Sequence, residues 1–404
     1  MHEIKRLGND MVHNYAVSNR DEMQREVDYL TDHSVYGSQD IALMPDAHLG
    51  KAHASVGFVS TYSDKIIPGT VGVDIACRVS AFKIDGDVDY ETLDKAIHER
   101  VPAGSNIRGQ EAHESKVFHY DSLRCWNAIN DGEDRYRKSM GTLGSGNHFI
   151  SVEGNDDGNW LMIHTGSRNL GLRVANYYQQ LAIERRDADK RYIMDDYDRV
   201  IDCLRKSGNV RDISDMLGKR NRQLSELPED DLAYIEGDVM RDYLHDIDMI
   251  ARWSFLNHKV IAYEIADYCG FSYNNSVSSI HNYVDTTNSI IRKGAIAAYR
   301  GQYGIIPLNM RDGSIIVLGK GNSDWLYSLP HGAGRILSRN EARRELDMED
   351  YRESMDGIYT TSVSKSTIDE APAAYKPAEE IEQSIGANAE IVERLYPKYN
   401  FKAS

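Results

Sequence analysis

The chain has 404 residues and 47 Lys plus Arg against 63 Asp plus Glu, a formal net charge of −16. That balance argues against non-specific coating of nucleic acid or of an anionic membrane, while leaving room for a local basic groove or a metal site that recruits phosphate. Cys77, Cys125, Cys203 and Cys269 lie far apart and form neither a disulfide framework nor a zinc spacing. With no signal-like N-terminus and no long apolar run, the chain reads as cytoplasmic, with no membrane partner. Its length suits one large domain or two ordinary ones.

In chain order, a helix is expected from Asp21 to Asp32. The apolar run Ile41 to Met44 then breaks at Pro45 into Asp46-Ala47-His48-Leu49-Gly50-Lys51. Strand ends hold reactive side chains well because a rigid element fixes the loop residue. Asp46 and His48 suit that role, and they suit a solvated turn equally. Asp74 and Cys77 stand three apart before the strand Val79 to Ile84, and both are metal-ligand types. A lone cysteine there reads as a small buried hydrophobe until partners appear.

Those partners follow. A glycine-rich loop, Gly141 to Gly146, ends at Asn147-His148 and runs into a strand, and Trp160 to Ile163 presents His164. The two histidines mark opposite ends of an apparent hairpin and can meet at one point. From about 170 to 268 the pattern turns helical: Ala175, Tyr178, Leu181 and Ala182 keep helical spacing, as do Leu244, Ile247, Ala251 and Phe255. Asp195-Asp196 and Glu229-Asp230-Asp231 read as loops or caps. After this insert come the strand-borne His281, the basic turn Arg292 to Ala295 and the strand Ile315 to Leu318. His331-Gly332-Ala333-Gly334-Arg335 follows, read as a phosphate cradle. Two glycines permit close backbone approach, Arg335 grips phosphate, and what reads as a helix start offers N–H groups beside a nucleophilic imidazole. A plain glycine turn feeding a helix reads as well from that stretch alone. Asp74, Cys77, His148, His164 and His281 together make a credible ligand set for two neighbouring metal ions.

The runs Met44–Gly50, Gly72–Arg78, Gly141–Phe149, His164–Gly171, His281–Asn282, Arg292–Ala295, His331–Arg339 and Asp369–Lys376 resemble, in order, the RtcB family of RNA ligases. The resemblance implies an α+β fold: a single domain over residues 1–404, with a mixed β-sheet core and the helical insert between His164 and His281. It implies a GTP-dependent ligase that joins RNA 3′-phosphate or 2′,3′-cyclic phosphate ends to 5′-hydroxyl ends through a histidine–GMP intermediate, in tRNA splicing or RNA repair. His331 would be the nucleophile, Asp46 its orienting partner, and Arg335 a phosphate contact. Two Mn²⁺ ions would be held by Asp74, Cys77, His148, His164 and His281, with Cys77 bridging. Asn147, His281, Asn282, Pro307, Asn309, Met310, Ser314, Gly332, Ala333, Gly334 and Lys402 would surround the guanylate. Arg168 resembles a contact to RNA phosphate, and an archease-like activator is a candidate partner.

The sequence also departs from the family pattern. Ser151 stands where the family carries a guanine-reading glutamate, with Glu153 displaced along the strand, and Pro307 to Arg311 replaces the usual PGSMG segment. This resembles a divergent branch. Two other readings of the same residues are a dinuclear phosphohydrolase acting on RNA ends and a non-catalytic RNA-end-binding homologue.

Overall fold

Strict alternation builds the central sheet. Along Gly158–Thr165, Trp160, Met162 and His164 face one side while Leu161 and Ile163 face the other. A computed structural model describes residues 5–7, 10–18, 20–31, 33, 35–49 and 54–403. In it this strand lies in a seven-stranded antiparallel sheet ordered Ser272–His281, Cys77–Asp85, Gly158–Thr165, Phe149–Asn155, Ala389–Lys402, Gly313–Gly319, Tyr303–Asn309. The sheet curls until its two edges meet, where the Ile305 amide donates to Ser279 Oγ at 2.7 Å. Val79, Ala81, Met162, Ile305, Ile316 and Leu395 fill the lumen. Leu161, Ile163, Ile150 and Phe401 pack outward against Ile261 and Ile265 of helix Gly237–Cys269 and Leu93 and Ile97 of helix Tyr90–Arg100.

A six-stranded sheet runs Lys5–Leu7, Asp10–Asn14, Ile41–His48, Val56–Thr61, Ile290–Lys293, Tyr283–Asp285, with one parallel pair between Asp10–Asn14 and Ile41–His48. Met23, Val27 and Leu30 of helix Arg20–Thr31 cover it against Val12, Leu43 and Phe58. Short strands Ala295–Ala297 and Ser328–Pro330 pair beside these sheets and deliver the chain to His331. The fold is therefore a mixture of helices and sheets, as expected, with the helical stretch placed between His164 and His281.

Helix Arg168–Ser207, helix Ile213–Ser225 and helix Gly237–Cys269 make up that insert. Ala175, Tyr178, Ala182 and Ile247 are buried as their spacing required, whereas Phe255 is exposed and stacks under Arg78. Asp195-Asp196 are not a loop; they sit within the first of these helices, on a stretch that projects away from the core. The basic turn is also corrected. Arg292 and Lys293 are buried on Ile290–Lys293, and Arg292 donates to Ser328 Oγ, Tyr283 OH and Asp285. Four apolar or aliphatic-stemmed residues in a row read as a buried strand once the two cations find partners. Among the sequence expectations, Asp32, Gly50, Lys51 and Ser404 lie outside the described residues.

The outward face of Gly158–Thr165 is the joint between sheet and insert. Leu161→Ala should lower the unfolding free energy by about 2–5 kcal/mol, since it empties a fully buried position. Ile391→Ala, at a position 39% exposed, should change it by about 0.5 kcal/mol or less. Urea unfolding midpoints check the pair, and equal effects would contradict the packing.

Candidate functional site

One end of the lumen gathers the metal-ligand types. Cys77 opens strand Cys77–Asp85 and is paired across to His281, while Val79, two residues on, pairs with His164. His164 in turn pairs with Phe149, which follows His148. The register of four adjacent strands thus places one thiolate-forming residue among three imidazoles. Cys77 Sγ lies 3.2 Å from His164 Nε2 and 3.6 Å from His148 Nε2, and His148 Nε2 lies 3.2 Å from Asp74 Oδ2. Two groups result, Asp74–Cys77–His148 and Cys77–His164–His281, with Cys77 shared and the ligand atoms within 4.8 Å of one another in each.

The protonation pattern of this cluster suits a cation. His148 Nδ1 donates to the Leu143 carbonyl at 2.9 Å, leaving Nε2 as a lone pair aimed at Cys77 and Asp74. Burial holds His164 and His281 well below the usual histidine range, so both are neutral donors at physiological pH. His281 Nδ1 is buried without a hydrogen-bond partner among the described residues. Burial, then Asp74, pushes the Cys77 thiol well up. A bound dication reverses that, because coordination deprotonates a thiol. The donor set therefore fits a metal of the imidazole–thiolate–carboxylate class.

His331 stands next to the cluster, its ring centroid 4.8 Å from that of His281. Its Nδ1 lies 2.7 Å from Oδ2 of Asp46, whose carboxylate has no exposed surface. A carboxylate accepts, so Nδ1 carries the proton and Nε2 is left as a lone pair. Gly334, at φ +74°, passes directly over the backbone of Asp46, where a Cβ would collide with its carbonyl. Lys376 Nζ donates to the carbonyls of Pro45 and Ala47 on either side of Asp46 at 3.1 and 2.9 Å.

These groups open on a cavity of about 370 Å³ lined also by Asn147, Asn282, Pro307, Asn309, Met310, Gly332, Ala333, Gly334, Arg335 and Lys402. That volume is within the range of small-molecule sites. Three residues outside the expected metal-ligand and guanylate sets also line it. Lys293, from the buried strand, has its ammonium pulled down by burial to about 8. His48 donates from Nδ1 to the Asp46 carbonyl at 3.0 Å, and burial takes its ring down to about 4. Asn400 stands two residues before Lys402 on one strand face, and that period-2 spacing in the last residues was the available signal.

Several expected contacts are placed differently. The helix after the glycine stretch is Arg339–Glu345, capped by a reciprocal Ser338–Glu341 box, so it begins beyond Arg335 and its first N–H groups are already engaged. The glycine at 334 thus serves the approach to Asp46, not a helix start. Arg335 lines the cavity, but its guanidinium donates to Leu337 O, Glu370, Tyr375 OH and Asp369 O, and stacks on the Tyr375 ring. Arg168 lies outside the cavity lining; it donates to Thr142 Oγ1 and Gly104 O behind the glycine-rich loop. Asn282 lines the cavity while its amide bridges the Asp74 carbonyl and the Gly294 amide. Ser314 is fully buried in the lumen, below the lining. Lys402 Nζ binds Glu370 at 2.6 Å, reaches Asn147 O at 3.3 Å and lies over the Phe149 ring.

If Cys77 is a ligand and not packing, Cys77→Ser should lose bound metal with little change in unfolding midpoint. Cys125→Ser, at an equally buried thiol beside Asp246, should keep it. Elemental analysis of the two purified variants checks this, and equal metal content would contradict it.

Known proteins are similar to this chain along most of its length. A family model described as tRNA-splicing ligase RtcB matches residues 33–130 and 120–403. The RNA-splicing ligase RtcB of Escherichia coli (strain K12) is 30% identical over 397 residues, which cover 88% of this chain and 87% of that protein. The RNA-splicing ligase RtcB of Mycobacterium tuberculosis is 26% identical, covering 88% of this chain and 94% of that protein. The tRNA-splicing ligase RtcB of Aeropyrum pernix is 25% identical, covering 84% and 83%. The chain belongs to the RtcB family, as a divergent member.

Proposed function

We propose that this protein is a GTP- and manganese-dependent RNA ligase, built as one domain, that joins 3′-phosphate or 2′,3′-cyclic phosphate ends to 5′-hydroxyl ends. The observation that carries the reading is the Asp46–His331 hydrogen bond beside the Cys77-centred cluster. An imidazole with Nδ1 held by a buried carboxylate has its Nε2 lone pair free to attack phosphorus. Membership of a family of RNA-splicing ligases supports RNA as the substrate.

In the proposed sequence, His331 Nε2 attacks the α-phosphate of GTP, a phosphorus–nitrogen bond forms and pyrophosphate leaves. Asp46 holds the Nδ1 proton throughout and balances the positive ring. An oxygen of the RNA 3′-phosphate then attacks the same phosphorus, the phosphorus–nitrogen bond breaks, and His331 returns to its starting tautomer. The 5′-hydroxyl finally attacks the activated 3′-phosphate and GMP leaves with the electron pair. A cyclic phosphate must first be opened by water. Two ions shared through Cys77, with Asp74, His148, His164 and His281 as the other ligands, would supply positive charge to the phosphate oxygens.

Asn147, Asn282, Pro307, Asn309, Met310 and Gly332 to Gly334 would enclose the nucleotide, with Lys402 at its base end. Arg335 is taken up by the Asp369–Tyr375 segment, so its role is to hold that segment against the nucleophile's loop. Arg339 lines the cavity with its side chain 44% exposed, which suits an RNA phosphate better than the enclosed Arg168 does. Splicing or repair as the cellular setting, a cytoplasmic location and an archease-like activator belong to the same proposal. Among the described residues no helix is long and apolar enough to cross a membrane.

Incubation with α-labelled GTP and Mn²⁺ tests the reading. The wild type should acquire an acid-labile, alkali-stable label. His331→Ala should acquire none, yet should seal RNA whose 3′ end already carries GMP. Asp46→Asn should label more slowly by on the order of 10²–10⁴-fold, as expected when a histidine loses its orienting carboxylate. A lysine amine is the competing nucleophile for such a label, and Lys293→Ala, Lys320→Ala and Lys402→Ala test the three candidates. A label that survives His331→Ala and vanishes with one lysine would overturn the assignment, and phosphate release without label would favour a phosphohydrolase.

A further inference from the structure

The outer side of the insert carries a feature that the cavity chemistry does not use. Along helix Gly237–Cys269, Arg252, Phe255, Lys259 and Tyr263 recur at intervals of three and four residues and share one exposed face. Phe255 and Tyr263 are 40% and 61% exposed, although the solvent face of a helix is ordinarily polar. Beside Phe255, Ala251 and Leu256 complete a shallow apolar hollow with Arg78 and Arg252 at its sides.

Positive charge at this hollow is not balanced locally. Arg78 directly follows Cys77, so its side chain leaves the strand on the side opposite the metal-ligand cluster. Its guanidinium lies 5.5 Å from the Phe255 ring centroid and donates to Ser278 Oγ at 2.9 Å and the Ala251 carbonyl at 3.3 Å. Its Nε is buried with no hydrogen-bond partner among the described residues. Lys259 Nζ lies 5.8 Å from the same ring. Among the described residues, no carboxylate is in ion-pair contact with Arg78, Arg252 or Lys259; Asp248, one turn before Arg252, acts on it only at a distance. In a chain of net charge −16, three such cations around an exposed aromatic ring suit an anionic partner.

The rings decide which anion fits. A single nucleic-acid strand alternates flat bases with phosphates, and it binds where aromatic faces alternate with cations. A duplex has its bases stacked already, and an acidic peptide brings no flat face to Tyr263. A second copy of this chain on a two-fold axis would set these cations against their own equivalents. We infer that Arg252, Phe255, Lys259 and Tyr263, with Arg78 flanking Phe255, dock the single-stranded stretch of RNA adjoining the end held in the cavity. The inference rests on the proposal that RNA is the substrate. The stripe is about 16 Å long, room for a few nucleotides. Because Cys77 and Arg78 are consecutive at the start of their strand, the cluster and the stripe lie inside and outside the same end of the curled sheet.

The test measures binding of dye-labelled oligouridylates with 5′-hydroxyl and 3′-phosphate ends, about 16 and about 4 nucleotides long, by fluorescence anisotropy across a salt series. Phe255→Ala and Tyr263→Ala should each weaken binding of the long RNA at least about fivefold, with the salt dependence unchanged. Arg252→Ala combined with Lys259→Ala should reduce the slope of log affinity against log salt by about 0.7 per cation removed. The short RNA, which cannot reach beyond the cavity, should bind all variants as it binds the wild type. Equal affinity of the wild type and every variant for the long RNA would overturn the inference and leave the RNA reading standing. A like loss with the short RNA would also overturn it. So would polyglutamate bound as tightly as the long RNA and insensitive to Phe255→Ala, which would assign the stripe to an acidic peptide. Failure of the wild type to bind either RNA would overturn the RNA reading itself and this inference with it.

Discussion

A carboxylate with no exposed surface is held against an imidazole across two separate parts of the fold. Asp46 lies on Ile41–His48 of the six-stranded sheet, and His331 follows the short strand Ser328–Pro330. An unpaired charge at such depth would cost several kcal/mol, so the fold must bring partners to it. It brings His331 to one carboxylate oxygen and the Lys376 ammonium to the carbonyls on either side. Gly334 makes the approach sterically feasible. Because the pair fixes the imidazole ring, the neighbouring His281 and the rest of the Cys77 cluster acquire a defined relation to Nε2.

Electrostatics concentrates at this point in an otherwise acidic protein. Lys293, Arg335, Arg339 and Lys402 line one cavity, while the overall charge is −16. A chain of that sign repels polyanions in general, so affinity for RNA would have to come from confined cationic sites such as this cavity and not from a broad surface. Arg335, Arg339 and Lys402 are paired with the buried acids Asp369 and Glu370. Arg335 and Lys402 both meet Glu370, whose carboxyl, despite burial, is held below its usual range first by Lys402. The arrangement keeps the positive rim rigid and pre-formed, which favours orientation over raw attraction.

Much of the site was legible because its residues belong to rare chemical types beside breaks in periodic segments. Asp46, Asp74, Cys77, His148, His164, His281 and His331 could each be picked out by type and local context, and the structure gathers all seven at one end of the lumen. What sequence could not supply was pairing. Strand register alone sets Phe149 opposite His164 and Lys402 opposite Phe149, and the latter carries the final strand into the middle of the sheet. Arg292 and Lys293 looked like a basic turn because single-chain patterning cannot see the hydroxyls and carbonyls that satisfy a buried cation. Arg168 and Arg335 looked free for phosphate for the same reason. Phe255 kept helical spacing yet faces solvent, where two cations stack on it instead of a core. Ser151 registered only as a missing acid, and the pairing that sets it opposite Asn400 could not be read from the sequence.

The central claim is that Asp46 presets His331 as the Nδ1-protonated tautomer with a bare Nε2. Nitrogen NMR of ¹⁵N-histidine-labelled, metal-free protein, with His331 assigned from the His331→Ala spectrum, tests it most directly. The account predicts that the neutral His331 ring carries its proton on Nδ1 and none on Nε2, a pattern that should be lost in Asp46→Asn. A wild-type His331 protonated on Nε2, or rapidly exchanging between tautomers, would contradict it.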